Sequence, residues 1–136
     1  MPVVVNVVSK EEYAAWLADK QAEAAEIKAL MAQTFSMDQL IERGKGVYQS
    51  RCAACHGMNG EGGLGTAIAG SAIATGELGG HLNIGINGVP GTAMQAFGGQ
   101  LNDVDMAAVI TYQRNAFGNN MGDMVQPIDV FNHKKG

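Results

Sequence analysis

The sequence has few aromatic side chains and much glycine, a composition from which a protein core is difficult to build. Aromatic residues make up 6% of the 136 residues, whereas 19 residues are glycine, about twice the usual share of roughly 7%. A bulky apolar cofactor would remove this difficulty, because its ring could occupy the volume that large side chains normally fill and glycine would let the backbone approach it closely. A loop-rich module without a cofactor is the alternative interpretation.

Positive charge is also scarce. The formal net charge is −4, and Arg114 is the only lysine or arginine between residues 52 and 133. The sequence contains no basic patch interleaved with aromatic residues, which argues against nucleic acid as a partner. Docking on a protein partner should therefore depend weakly on salt or rely on a tether.

Long apolar runs are absent. No stretch approaches the roughly 20 apolar residues of a membrane span, and residues 1–8 lack the charged start and apolar segment of a signal peptide. We therefore expect the chain as given to be soluble.

The first third of the chain predicts one strand and one long helix. Residues 2–8 are almost all valine, which favours a strand buried on at least one face. Ser9 followed by Glu12 is a capping box, and the alanine, glutamate, lysine and leucine content of residues 10–33 favours a helix. Its later part is mostly alanine and charge, as expected of a solvated connector.

Two further helices are predicted on either side of a glycine-rich region. Ser36 and Gln39 open a helix that runs directly into Cys52, and its buried face is predicted to contain Leu40, Ile41, Val47 and Tyr48. Residues 57–99 show no strong period and predict loops and short helical turns. Asn102 caps a last helix through about Ala116, with Val104, Ala108 and Tyr112 on one face. Beyond Asn119 we expect at most an ordered tail.

Cys52, Cys55 and His56 form C-x-x-C-H, the attachment signature of haem c. Two thiols at this spacing at the end of a helix can bond the two vinyl groups on one side of a porphyrin. The adjacent imidazole is then held under the iron as its proximal ligand. The motif predicts one covalently bound haem c, with its iron ligated by His56.

Three other interpretations of the two cysteines remain open. A thioredoxin-like dithiol needs C-x-x-C at the start of a helix after a strand, whereas here a helix precedes it. A zinc site needs four ligands, and His81 and His133 lie far off in sequence. A disulfide between Cys52 and Cys55 would close too small a loop to stabilise much.

Met94 is the predicted sixth ligand of the iron. It lies 38 residues after His56 in a glycine-bounded loop, residues 91–98, that can bring a thioether to the opposite face of the haem, and ligation by methionine and histidine raises the reduction potential. The other methionines considered are assigned to packing or solvent: Met58 lies too close to His56, Met106 rides a helix, and Met121 and Met124 lie in the tail. His81 is a weaker alternative ligand, because a polar histidine in a loop is more often a surface residue.

With these motifs in place, residues 36–118 resemble a class I cytochrome c domain. The resemblance implies an all-α fold, with helices packed around one haem c, in which the first helix crosses the last near a small residue. Gly44 and Tyr112 are similar to that contact pair. The family usually has a proline after the motif whose carbonyl accepts a hydrogen bond from the proximal histidine. The matching residues, Thr66–Ser71, contain no proline, so the resemblance does not identify the accepting carbonyl.

The flanks resemble a second family. The Met-Pro-valine run and residues 9–17 look like the last strand and exit helix of the copper domain of cytochrome c oxidase subunit II. Residues 111–127, TYQRNAFGNNMGDMVQP, look like the end of the cytochrome c domain fused to that subunit in some bacterial oxidases. We therefore divide the chain into residues 1–35 (end of the copper domain and helical linker), 36–118 (cytochrome c domain) and 119–136 (C-terminal tail).

This second resemblance has structural implications. Met1 falls where the copper-ligand methionine would stand, but the remaining copper ligands are missing, so no dinuclear copper site is expected. The valine strand has lost its sheet, which predicts a frayed, swapped or self-associating end. Covalent haem attachment normally requires export, so we interpret the sequence as an excised piece of a longer polypeptide.

The function implied by the resemblance is single-electron transfer. The domain would receive an electron from an external donor such as a cytochrome and pass it to the copper centre on the same polypeptide, at the periplasmic face of the bacterial inner membrane. It would be no enzyme on its own but part of cytochrome c oxidase. The alternatives are a free-standing diffusible periplasmic cytochrome c, a gas-binding or peroxidatic haem protein if Met94 dissociates easily, and a non-haem thiol or zinc module.

Overall fold

The computed structural model of the chain describes residues 9–135, with the side chains of residues 30 and 31 excepted. Within this range all regular secondary structure is helical, which agrees with the all-α prediction. None of the described helices is long and apolar enough to cross a membrane. The predicted valine strand and its fraying lie outside the described residues. The helices are α1 (Lys10–Ala32), α2 (Met37–Arg51), α3 (Ala53–His56), α4 (Leu78–Asn87), α5 (Asp103–Asn115) and α6 (Pro127–Lys135).

The chain divides into two compact units, Met1–Ala32 and Gln33–Gly136. In the first unit the backbone N–H of Glu12 donates to the Ser9 hydroxyl at 3.1 Å, which caps α1. Nearly all described side chains of α1 are exposed. Tyr13 and Trp16 stack with ring centroids 5.9 Å apart while about half of each remains accessible. The described part of α1 thus has the surface of a solvated helix.

Helix α2 begins at the capping box that the sequence predicts. The Gln39 N–H donates to the Ser36 hydroxyl at 3.2 Å, and the Ser36 N–H donates to the Gln39 side chain at 2.9 Å. Leu40 and Tyr48 are fully buried, as predicted, and Ile41 and Val47 pack partly buried against the core. This buried face packs α2 against α5. Cys52 lies at the C-terminal end of α2.

Helix α5 is the centre of the second unit. Its N-cap is Asn102, whose side chain accepts the Asp105 N–H at 2.8 Å, as the sequence predicts. All nine residues from Met106 to Arg114 are buried. Helix α2 crosses α5 at Gly44, where a Cβ atom would collide with the Ala108 carbonyl oxygen and lie 2.7 Å from the Tyr112 Cβ. The expected Gly44–Tyr112 contact is therefore present.

The C-terminal residues form more than the expected ordered tail. Val125, Pro127 and Val130 are buried, and α6 packs against α4 and α5. The side chain of Gln126 exchanges two hydrogen bonds of 2.9 Å with the backbone of Phe35, so α6 and the segment before α2 are fixed to each other. Residues 119–135 are thus part of the fold of the second unit.

Replacement of Gly44 tests the crossing of α2 and α5. Gly44→Ala should destabilise the protein by about 1–3 kcal/mol, because the added methyl group overpacks a backbone contact that cannot yield without separating the helices. Gly46→Ala is the matched control: it lies on the same helix, and a Cβ there meets nothing within 4 Å. It should be neutral or stabilising by up to about 1 kcal/mol. Urea unfolding measures both, and equal effects at the two positions would contradict the assignment of Gly44 as the crossing point.

Candidate haem-attachment site

The two cysteines lie in one turn at the junction of α2 and α3. The Cys52 N–H donates to the Tyr48 carbonyl at 2.8 Å, and the His56 N–H donates to the Cys52 carbonyl at 3.0 Å. Cys52 is partly buried, Cys55 is exposed, and both thiols are free rather than joined in a disulfide. One short helical turn thus presents both sulfur atoms and the imidazole of His56.

The hydrogen bond of His56 fixes the tautomer of its neutral ring. Its Nδ1 lies 2.6 Å from the carbonyl oxygen of Thr66. A carbonyl oxygen only accepts hydrogen bonds, so Nδ1 carries the proton and Nε2 of the neutral ring keeps its lone pair. The hydrogen bonds found among the described residues leave Nε2 without a partner. A neutral imidazole with this tautomer is the form that ligates iron, and Thr66 supplies the carbonyl that the resemblance did not identify.

The loop after His56 follows the imidazole closely. At Gly65 a Cβ atom would approach the His56 Cε1 to 2.9 Å and its Nδ1 to 3.0 Å. Gly57, which ends the turn, has a φ of 87°, and the Tyr48 hydroxyl donates to its carbonyl at 2.7 Å. Glycine at position 65 therefore lets the loop approach the ring, and glycine at position 57 allows the positive φ that ends the turn.

An aromatic cluster and one asparagine hold this loop against α5. Tyr48, Tyr112 and Phe117 have ring centroids 5.1–5.6 Å apart. Burial raises the pKa of Tyr48 to about 12, so its hydroxyl stays protonated and able to donate. The Asn119 side chain accepts the Gly70 N–H at 2.8 Å and donates to the carbonyls of Ile68 and Gln113. The polypeptide that carries Thr66 is thereby fastened to the last turn of α5.

Met94 lies in a separate loop that returns to the end of α4. The Val89 N–H donates to the Met94 carbonyl at 3.1 Å, and the Phe97 N–H donates to the Gly85 carbonyl at 3.1 Å. Gly88 has a φ of 68°, and a Cβ there would lie 2.6 Å from the Met94 carbonyl oxygen. The loop is therefore a defined turn that positions the Met94 side chain.

Met94 and Cys52 are both partly buried against the same hydrophobic cluster, which includes Leu82, Ile86 and Phe97. The predicted sixth ligand and the first attachment residue thus share one core. The other methionines considered differ: Met58, Met121 and Met124 are exposed, and Met106 is fully buried in α5.

His81 was expected to be a surface residue in a loop, and this expectation is wrong. It lies on α4 with 4% of its surface exposed, and its Nε2 is 2.7 Å from the Gln113 side-chain oxygen. Burial lowers the pKa of His81, with a further lowering from Arg114 and opposing effects from Gln113 and Asp123. Burial therefore favours the neutral form of the ring, and the hydrogen bond to Gln113 on α5 holds the ring in place.

The surroundings of the Cys52 thiol argue against a redox-active dithiol. Burial, with a smaller effect from Cys55, raises the pKa of Cys52 to about 11, and Arg51 lowers it less. Reactive C-x-x-C thiols have a lowered pKa instead. Among residues 9–135, no group of three or more histidine, cysteine and acidic side chains is arranged to hold a metal ion.

These surroundings fit haem c. The turn supplies two free thiols and an imidazole whose Nε2 makes no hydrogen bond within the described residues. Apolar side chains beside it are exposed in this structure: Leu64 by 93% and Met58 by 56%. An apolar macrocycle attached at the thiols would find such side chains within the same loop. The two thiols suit covalent attachment of haem c, and an imidazole and a thioether are the kinds of side chain that ligate its iron, whereas a zinc site needs four coordinating side chains.

Comparison with known proteins identifies the family. Residues 39–112, just over half of the chain, match the family described as cytochrome c oxidase, cbb3-type, subunit III. The match covers most of α2, the attachment turn, the Met94 loop and most of α5. No curated protein matches the chain. The chain belongs to this cytochrome c family, whose domains are haem-based electron-transfer modules.

Proposed function

We propose that the chain binds one haem c through thioether bonds at Cys52 and Cys55, with His56 as the proximal and Met94 as the sixth ligand of the iron. The haem iron would supply the chemistry, alternating between its ferric and ferrous states as single electrons pass. One observation carries the proposal: the hydrogen bond from His56 Nδ1 to the Thr66 carbonyl leaves Nε2 free in the turn that also presents both thiols.

The polypeptide contributes position and environment. Thr66 and Gly65 orient the imidazole of His56, and Tyr48 holds the end of the turn through its bond to the Gly57 carbonyl. The Met94 loop is fixed by backbone hydrogen bonds to the end of α4. His56 and Met94 both lie on segments that are fixed to the helical core. These two side chains should therefore rearrange little when the iron gains or loses an electron.

The exposed Cys55 supports exchange of electrons with another protein. Its exposure brings the attachment turn to the molecular surface. Between residues 52 and 133 the only lysine or arginine, Arg114, is 2% exposed and paired with Asp123 at 2.9 Å. This segment therefore has no accessible lysine or arginine with which to steer an acidic partner.

The proposed acceptor is the copper centre of a haem–copper oxidase subunit II on the same polypeptide, and the proposed donor is an external cytochrome. The resemblance of residues 1–17 and 111–127 to the flanks of such a fusion supports this assignment, as does the solvated surface of α1, which suits a linker. A tethered partner is already at high effective concentration, so weak electrostatic steering should lower the rate of electron transfer little. In this proposal the domain acts at the periplasmic face of the bacterial inner membrane.

Replacement of Met94 tests the ligand set. The holoprotein, produced with haem-maturation machinery, should show the sharp reduced bands of haem c and the methionine-to-iron charge-transfer band of the oxidised form. Met94→Ala should keep the reduced bands, lose the charge-transfer band and bind carbon monoxide. Met124→Ala, at an exposed methionine, is the matched control and should keep both features.

Two results would contradict parts of this proposal. A charge-transfer band that survives in Met94→Ala would remove Met94 from the ligand set while retaining the haem. Carbon monoxide binding by the wild type would instead support the gas-binding alternative.

Salt dependence tests the tethered acceptor. The separate holo-domain should reduce a copper domain of oxidase subunit II slowly, with a rate constant that changes less than about threefold between 0.01 and 0.15 M salt. Fusing the two domains through α1 should make the electron-transfer rate independent of protein concentration. Fast, strongly salt-dependent transfer by the separate domain would favour a free-standing diffusible cytochrome.

A further inference from the structure

A line of buried polar side chains runs from Cys52 into α4 and α5. The Gln113 amide nitrogen is 3.9 Å from the Cys52 sulfur, the Gln113 oxygen is 2.7 Å from His81 Nε2, and Arg114 Nη1 is 3.5 Å from His81 Nδ1. Gln113, His81 and Arg114 are 8%, 4% and 2% exposed. Apolar side chains could fill this space without the free-energy cost of burying polar groups. Packing alone therefore does not explain why these buried side chains are polar.

The donor and acceptor groups of these side chains determine the direction of each hydrogen bond along this line. A guanidinium group only donates, so His81 Nδ1 accepts from Arg114 and the ring proton sits on Nε2. Nε2 then donates to the Gln113 oxygen, which leaves the Gln113 amide N–H₂ group facing Cys52. The lowered pKa of His81 agrees with the neutral ring that this arrangement requires.

The far end of the line is anchored. Arg114 Nε donates to both carboxylate oxygens of Asp123, at 2.9 and 3.0 Å, and Nη2 donates to the Gly76 carbonyl at 2.8 Å. The guanidinium therefore has little freedom to turn away from His81. Each member fixes the next, and a fully paired buried network of this kind rigidifies its surroundings.

We infer that Gln113 keeps an N–H donor on the sulfur that joins Cys52 to the haem, that His81 is the positioning residue that orients the Gln113 amide, and that the pair raises the reduction potential. The inference rests on the proposed haem attachment. The positive end of the N–H dipole at the sulfur withdraws electron density from the attached ring, which favours the form that holds the extra electron. Hydrogen bonding around the site is one of the levers by which a protein sets haem potential.

Potentiometric titration of the holoprotein tests the inference. The variants are Gln113→Met, of similar length but without the amide, His81→Phe, and the double variant. Gln49→Met, at an exposed position on α2, is the matched control and should leave the potential unchanged. At the wild-type midpoint, Gln113→Met should raise the ratio of oxidised to reduced protein by about threefold or more, the effect of losing one weak hydrogen bond.

The double variant separates positioning from packing. His81→Phe should shift the potential in the same direction as Gln113→Met, and in the double variant it should add nothing, because His81 acts through Gln113. Equal midpoints for wild type and Gln113→Met would overturn the inference. Additive shifts in the double variant would overturn the positioning role of His81.

Failure of the inference is distinguishable from failure of the proposed function. A wild-type protein without covalent haem would contradict the proposed function, whereas a haem-bearing wild type whose midpoint ignores Gln113 contradicts the inference alone. If Gln113→Met does not accumulate as holoprotein, Gln113→Leu gives the same comparison. If His81→Phe does not accumulate, His81→Leu replaces it, again without a donor to Gln113.

Discussion

The close approach of α2 to α5 at Gly44 is the constraint on which the remaining structure depends. With no side chain at this position, the backbone of α2 lies against the Ala108 carbonyl, and α2 packs along α5. The crossing fixes where α2 ends. It therefore brings Cys52, at the C-cap of α2, within reach of Gln113 on α5, and places Tyr48 beside Tyr112 and Phe117.

From this crossing the site is built by short-range backbone interactions. The end of α2 passes into the α3 turn, and the glycine-rich loop beyond it returns its Thr66 carbonyl to the imidazole. The Met94 loop is fastened to α4 in the same manner. Glycine is abundant here because the backbone itself must approach the ring and the ligands, as at Gly65 and Gly88, where any side chain would collide. The proposed haem would also account for the scarcity of large core side chains, because its ring would supply that volume.

Features with strong local signals could be predicted from the sequence, and features set by tertiary contacts could not. The caps at Ser36 and Asn102 could be predicted because each depends on residue types at fixed spacing. The Gly44 crossing is a tertiary contact, and it was expected only through the resemblance to class I cytochrome c. The acceptor for His56 was not, because every residue has a carbonyl and its choice depends on the loop path. His81 was misassigned because α4 contains glycines that weaken its helical signal, and its burial depends on Gln113, far off in sequence. Helix α6 was missed because nine residues are too few to be stable alone, although Pro127 at its first position and the lysines at its end are start and stop signals.

The central claim is that Cys52, Cys55 and His56 form a haem c attachment turn, and mass spectrometry of the protein made with haem-maturation machinery tests it most directly. The account predicts that one haem is retained after denaturation and that it maps to the peptide spanning residues 52–56. It also predicts that the haem is lost when both cysteines are replaced by alanine. A chain that keeps its bare mass under the same conditions would contradict the account.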